Sequence, residues 1–241
     1  MIKPNREIIS RLCAGAAVLA AAYLLKRFYS QADSGDLKWI IGPTARLTEC
    51  ISDLAFAYEP GYGWVDVRHQ VVIAPVCAGV NFLITALCMS SFQLIWKTAK
   101  PAKLLAGLGI AAGSAYALTV ITNAMRIKLA VALFDPPLDA GWLTPDMLHR
   151  IAGTAVYYTV LSLYFCMVDY CLTEQPSANP LLLTMPLFWY LLLSLGVPFA
   201  NHAFANNPEQ FISHALSVGP VALILTLIFI KIRIGLTRLG K

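Results

Sequence analysis

Three residues are of types that together support nucleophilic chemistry: Cys77, Arg126 and His149. A cysteine within reach of an imidazole provides a nucleophile with an acid/base partner. An arginine beside them stabilises an oxyanion or holds a substrate carboxylate. If the fold brings the three together, they predict cysteine acyl transfer.

Cys77 lies near the start of a long apolar run. Pro75 suits the first position of a helix, so Cys77 is predicted in the first helical turn, where free N–H groups and the helix dipole favour a thiolate. Gly79 allows another backbone or a substrate to approach closely. Asn81, one turn after Cys77, is expected to help orient the site. The alternative is that Cys77 is a small apolar filler.

Arg126 is expected at the same membrane face as Cys77. An apolar run from about Leu104 reaches the outer interface near Asn123, and Arg126 follows one turn later. Asn123 is therefore counted among the residues that shape the site. The alternative is an interfacial arginine whose side chain reaches a lipid phosphate.

His149 is expected near the start of another span. Thr144 suits an N-cap and Pro145 the first helical turn. Gly153, four residues after His149, lies on the same helix face and permits tight packing. The alternative is an ordinary interfacial histidine.

The elements that must position these residues are membrane helices. Of the 241 residues, 58% are hydrophobic and 13% are charged, against about 25% charged in ordinary soluble domains. This composition excludes a disordered chain and a soluble enzyme, since the apolar excess must face lipid. The whole chain, 1–241, is predicted to be one all-α polytopic membrane domain. Six apolar runs are long enough to span a bilayer, at about 12–29, 76–96, 104–125, 148–170, 181–200 and 215–233.

The net charge of +5 is explained by orientation. Basic residues cluster at the N-terminus, in the loop 97–103 and in the tail 231–241, which places both termini in the cytoplasm. Lys26 and Arg27 break this rule at the outer end of the first span. No basic stripe is interleaved with aromatic residues, so nucleic acid is not an expected partner.

The segment 30–75 is then external. Residues 39–58 have helical periodicity and predict an amphipathic helix on the membrane surface or over the other helices. Residues 65–73 alternate and predict a short strand or hairpin arm. Asp169, near the inner end of the fourth span, is interpreted as interfacial.

The remaining cysteines and histidines carry no metal-binding spacing, so neither a metal nor another cofactor is expected. Cys50 is external, and its pairing with Cys77 would make the protein inactive or redox-regulated.

The sequence resembles the exosortase/archaeosortase family of membrane cysteine transpeptidases, and is most similar to the exosortase K subtype. Three motifs carry the resemblance: Val76-Cys-Ala-Gly79, Asn123-Ala-Met-Arg126, and His149 with Gly153. Ala78 stands where most members have serine.

The resemblance implies a cysteine protease or transpeptidase of the bacterial cytoplasmic membrane with its site at the outer face. Its implied substrates are exported proteins that end in a short motif, a transmembrane helix and a basic tail. Cys77 would be the nucleophile, His149 the general acid/base, and Arg126 the oxyanion or substrate-orienting group. The reaction would pass through a thioester.

Three alternatives predict different behaviour. A membrane thiol oxidoreductase needs paired external cysteines, and only Cys50 and Cys77 qualify. A small transporter needs charges or broken helices at mid-membrane. In a non-catalytic scaffold, each of the three candidate residues would be replaceable without effect.

Overall fold

The protein is an all-α polytopic membrane protein. A computed structural model describes residues 6–98, 101–134, 144–173 and 179–239. Within them, six helical segments are long and apolar enough to cross a membrane: Glu7–Tyr29, Pro75–Lys97, Ala102–Leu133, Met147–Leu172, Pro180–Ala200 and Pro208–Gly235. The predicted number of spans is therefore confirmed.

The helices are numbered α1 to α10 in chain order. They are α1 Arg6–Tyr29, α2 Lys38–Ile51, α3 Val80–Lys97, α4 Pro101–Phe134, α5 Pro145–Leu172, α6 Pro180–Leu183, α7 Met185–Leu191, α8 Val197–Ala200, α9 Ala203–Asn206 and α10 Pro208–Leu239. A π-helical turn, Leu192–Gly196, joins α7 to α8.

Helix α3 is the centre of the bundle. In the span that contains α3, 61% of the residues in the most apolar stretch are buried inside the protein. In the other five spans this fraction is 17–39%. It packs against α1, α4, α5 and α7. Because α3 contacts four neighbours, the residues just before its N-terminus are held from several sides.

Helix α4 is longer than a membrane requires. The sequence predicts a span that ends near residue 125, whereas α4 continues to Phe134 and contains 34 residues. At 1.5 Å per residue it is about 51 Å long, against about 30 Å of hydrocarbon. Arg126 thus lies inside a helix that extends beyond the apolar core.

The segment between α1 and the span that begins at Pro75 forms a cap, residues 30–74. Its helix α2 is the amphipathic helix of the prediction, but it ends at Ile51. It packs on α4, where Trp39 stacks on Tyr116 at 5.9 Å and the Tyr116 hydroxyl donates to the Trp39 carbonyl at 2.6 Å. Of the two placements that the sequence leaves open, the structure has the helix over another helix.

The cap also contains a three-stranded antiparallel sheet in the order β1-β2-β3. The strands are β1 Ala57–Glu59, β2 Gly63–Asp66 and β3 Val71–Ile73. The alternating run 65–73 is therefore divided by a turn between two strands, instead of forming one. The prediction recognised the extended character of this run but not the turn inside it.

Asp66 holds the turn between β2 and β3. Its carboxylate accepts hydrogen bonds from the backbone N–H of Ala55 at 2.7 Å and of His69 at 2.9 Å, and it contacts His69 Nδ1 at 3.1 Å. Burial raises the pKa of this carboxyl, but these hydrogen bonds outweigh it and lower the pKa to about 2. The charged form of Asp66 thus stabilises the turn that leads to β3.

Candidate active site

The backbone around Cys77 differs from the predicted helix start. Pro75–Cys77 is a separate 3₁₀ turn, and α3 begins only at Val80. Gly79 lies between them with φ of +74°, a left-handed conformation that stops the helix from extending back to Cys77. Cys77 thus lies in the first turn of the span Pro75–Lys97, as predicted, but that turn is 3₁₀ and Gly79 separates it from the N-terminus of α3.

Two side chains from other helices hold this turn. Asn123 of α4 donates from Nδ2 to the Cys77 carbonyl at 2.6 Å, and Tyr29 of α1 donates to the Pro75 carbonyl at 3.3 Å. A Cβ at Gly79 would lie 3.3 Å from the Asn123 side chain. The absence of a side chain at Gly79 therefore lets α4 approach the turn closely, as the sequence predicts for this glycine.

Arg126 lies one turn after Asn123 on α4 and contacts His149 on α5. Arg126 Nη2 is 2.8 Å from His149 Nε2. Because a guanidinium only donates, Nε2 accepts this hydrogen bond, and the ring proton lies on Nδ1. The predicted N-cap of α5 is confirmed, since Thr144 Oγ1 accepts from the Met147 N–H at 3.3 Å.

Gly153 makes room for the Arg126 side chain. A Cβ at Gly153 would lie 2.9 Å from Arg126 Nε, closer than real Cβ contacts allow. Arg126 Nε is buried and has no hydrogen-bond acceptor among the described residues. The predicted tight packing at Gly153 is thus a contact with the arginine, and that arginine keeps a donor without an acceptor.

Tyr157, which the sequence reasoning missed, joins the two halves of the site. Its hydroxyl donates to Asn123 Oδ1 at 2.8 Å, the Arg126 guanidinium lies 5.3 Å from its ring centre, and Phe82 stacks on the ring at 4.8 Å. It lies eight residues after His149, and therefore on the same helix face. That spacing is the signal that could have identified it.

Cys77, Arg126 and His149 line one cleft of about 590 Å³. Its walls are the segment 68–73 of the cap and the α4 residues Ile127, Ala130 and Val131. Cys77 is half-buried here, and both Cys77 and Cys50 are free thiols. The three residues singled out in the sequence thus come together.

A second cavity, of about 280 Å³, is also lined by Arg126 and His149. Gly79, Asn81, Gly153 and Tyr157 line it, together with residues of α7, the π-helical turn and α10. Asn81 is exposed and accepts a hydrogen bond from Lys26 Nζ at 2.7 Å. This contact accounts for a lysine at the end of the first span, whereas no hydrogen bond joins Asn81 to Cys77 in the described part of the chain.

The last two spans close this cavity. Pro198 has no N–H, so the Ser194 carbonyl one turn earlier loses its helical partner at the π-helical turn. His214 of α10 lines this cavity together with Ser194.

No group of three His, Cys, Asp or Glu side chains that could hold a metal ion occurs in the described ranges. Comparisons with protein-family models, curated proteins and solved structures find no match to this chain. The fold and the cleft therefore define only a class: a polytopic membrane protein that presents a cysteine, an arginine and a histidine in one cleft.

Proposed function

We propose that the protein is a membrane-embedded cysteine protease or transpeptidase that acts on exported proteins. The observation that carries this proposal is the cleft shared by Cys77, Arg126 and His149. The three residue types supply a nucleophile, a cation for the oxyanion and an acid/base. The resemblance to exosortases and archaeosortases, stated above on the motifs around these residues, supports the same reaction.

The Arg126–His149 contact suggests the order of events. In the resting arrangement His149 Nε2 accepts from Arg126. A substrate carbonyl that draws Arg126 towards its oxygen would release Nε2, which could then take the proton of the Cys77 thiol. Arg126 Nε is buried without an acceptor among the described residues, so the same movement of the side chain would let it donate to that oxygen.

The reaction then balances in two steps. The Cys77 sulfur bonds to the substrate carbonyl carbon, the C–N bond breaks, and His149 returns the proton to the leaving amine. The thioester that remains is attacked by an amine or by water. This second step releases the product, and the thiol recovers its proton.

We assign the cleft to the outer face of a bacterial cytoplasmic membrane, with both termini in the cytoplasm. Lys97 at the end of α3 and Arg233 of α10 support this orientation, since both pair with Asp169 at the end of the bundle opposite the cap. Substrates would carry a C-terminal motif, a transmembrane helix and a basic tail.

The test is co-expression with an exported protein that ends in such a signal. Cys77→Ala should abolish the size shift of that protein, whereas Cys50→Ala, at an exposed cysteine of α2, should leave it intact. Unchanged processing in the Cys77→Ala variant would overturn the proposed function.

A further inference from the structure

Strand β3 is an open edge of the cap sheet. It pairs with β2 and has no second strand partner among the described residues. A Cβ at Gly63 of β2 would lie 2.7 Å from the Ile73 carbonyl oxygen, so this carbonyl points towards β2. Antiparallel pairs alternate, so the N–H and C=O of Val72 point away from β2.

This open edge forms one wall of the cleft that contains Cys77. The opposite wall is the part of α4 after Arg126, which lies beyond the length needed to cross the apolar core. The β3 strand ends four residues before Cys77. A chain laid along β3 would therefore run between two walls towards the thiol.

The nucleophile also requires an extended substrate. In a helix each peptide carbonyl already accepts a hydrogen bond and is surrounded by side chains. A peptide bond next to a transmembrane helix must therefore leave the helix before a thiol can attack it, and its backbone groups then need new partners. An exposed strand edge supplies such partners.

We propose that the substrate binds as a fourth strand on β3, with its backbone paired to the N–H and C=O of Val72. This inference rests on the proposed function, because it assumes that Cys77 attacks a polypeptide. Alternate substrate side chains would face the apolar α4 residues Ile127, Ala130 and Val131.

The experiment measures alkylation of Cys77 by two reagents. Acetyl-tetraalanyl chloromethyl ketone offers an extended backbone, whereas iodoacetamide offers none. Each forms a carbon–sulfur bond while chloride or iodide leaves and the thiol proton is lost. The variant Val72→Pro removes only the outward N–H, which an edge strand tolerates, and the control Val72→Ala keeps it.

We expect Val72→Pro to lower the ratio of the peptidyl rate to the iodoacetamide rate about tenfold, in line with the loss of one good hydrogen bond. Val72→Ala alters the same side chain in the cleft but keeps the N–H, so it should not produce this tenfold fall in the ratio. An equal ratio in wild type and Val72→Pro would overturn the inference.

A second arm decides the question even if Val72→Pro does not fold. In the wild-type protein, the peptidyl reagent should react about tenfold faster than its analogue with N-methylated peptide bonds, and equal rates would overturn strand pairing. Failure of the proposed function appears differently, because Cys77 would then react with peptidyl reagents while exported proteins stay unprocessed.

Discussion

Arg233 and Arg126, at opposite ends of the helix bundle, have different partners. At the end opposite the cap, Asp169 of α5 is buried, hydrogen-bonds Lys97 of α3, and lies 3.9 Å from Arg233 of α10. At the cap end, Arg126 contacts no carboxylate among the described residues and is held by His149 and Tyr157.

This difference separates a structural charge cluster from a candidate reactive one. A buried carboxylate that pairs with cations from two other helices ties three helices together, and its charges are already compensated. An arginine that shares a cleft with a thiol, and that no carboxylate of the described residues neutralises, can respond to charge that develops on a substrate. Asp169 lies three residues before the end of α5, near the end of the span as the sequence predicts, but it is buried between helices.

The largest effect is expected at Arg126. Arg126→Lys should lower Cys77-dependent processing by about 10²–10³-fold, because a point charge does not reproduce the planar donor group. The matched control is Lys128→Ala, at an exposed position of the same helix. Wild-type processing in the Arg126→Lys variant would contradict a role for the guanidinium in the reaction.

The opposite end should respond in stability instead. Asp169→Asn leaves two cations without their counter-ion and should lower the free energy of unfolding by about 3 kcal/mol, measured in detergent. The Cys77 alkylation rate of the folded protein should not change. Glu209→Gln, at an exposed acid, serves as control, and equal stability of the two variants would refute the distinction between the two ends.

Gly153→Ala should separate activity from stability within the cap end. The added Cβ displaces Arg126, so processing should fall about 30-fold. This corresponds to an increase of about 2 kcal/mol in the activation free energy. Alanine is the better helix former, so stability should stay constant or rise slightly. Gly113→Ala on α4, where nothing lies within 4 Å, should leave processing unchanged. Full activity in Gly153→Ala would contradict the proposed role of the arginine position.

A smaller effect is expected in the cap. Because the pKa of Asp66 is about 2 in the folded protein, against 3.8 ordinarily, its stabilisation is complete above about pH 4 and is lost as the pH falls towards 2. The shift corresponds to about 2 kcal/mol. Hydrogen exchange should show this loss as weaker protection of the Ala55 and His69 amides at low pH. In Asp66→Asn the same two amides should exchange fast already at neutral pH. Equal protection in the two proteins would rule out this role.

Much of the fold follows from the sequence because lipid imposes simple rules. Apolar length sets the six spans, and the helical period of residues 39–58 predicts α2. The N-cap at Thr144 is equally local. The end of α4 was predicted too early, because Arg126 and Lys128 mark an interface in the sequence but do not interrupt a helix.

The residue types of the site could be predicted from the sequence, but not their contacts. Helical spacing gives the face of Gly153 but not the neighbour that approaches it. In the sequence, Tyr157 is one aromatic residue within an apolar run. Its contacts with Asn123 and Arg126 appear only when α5 packs against α4. The left-handed Gly79 separates Cys77 from α3, and a proline near an apolar run does not reveal that break.

The most direct test of the central claim compares the reactivity of the six cysteines with iodoacetamide in membranes, site by site, by mass spectrometry. Cys50 is exposed and Cys77 is half-buried. If Arg126 and His149 activate Cys77, it reacts faster than Cys50 despite its lower exposure, and His149→Ala removes the difference. A Cys77 that reacts more slowly than Cys50, or that is unaffected by His149→Ala, would contradict the account.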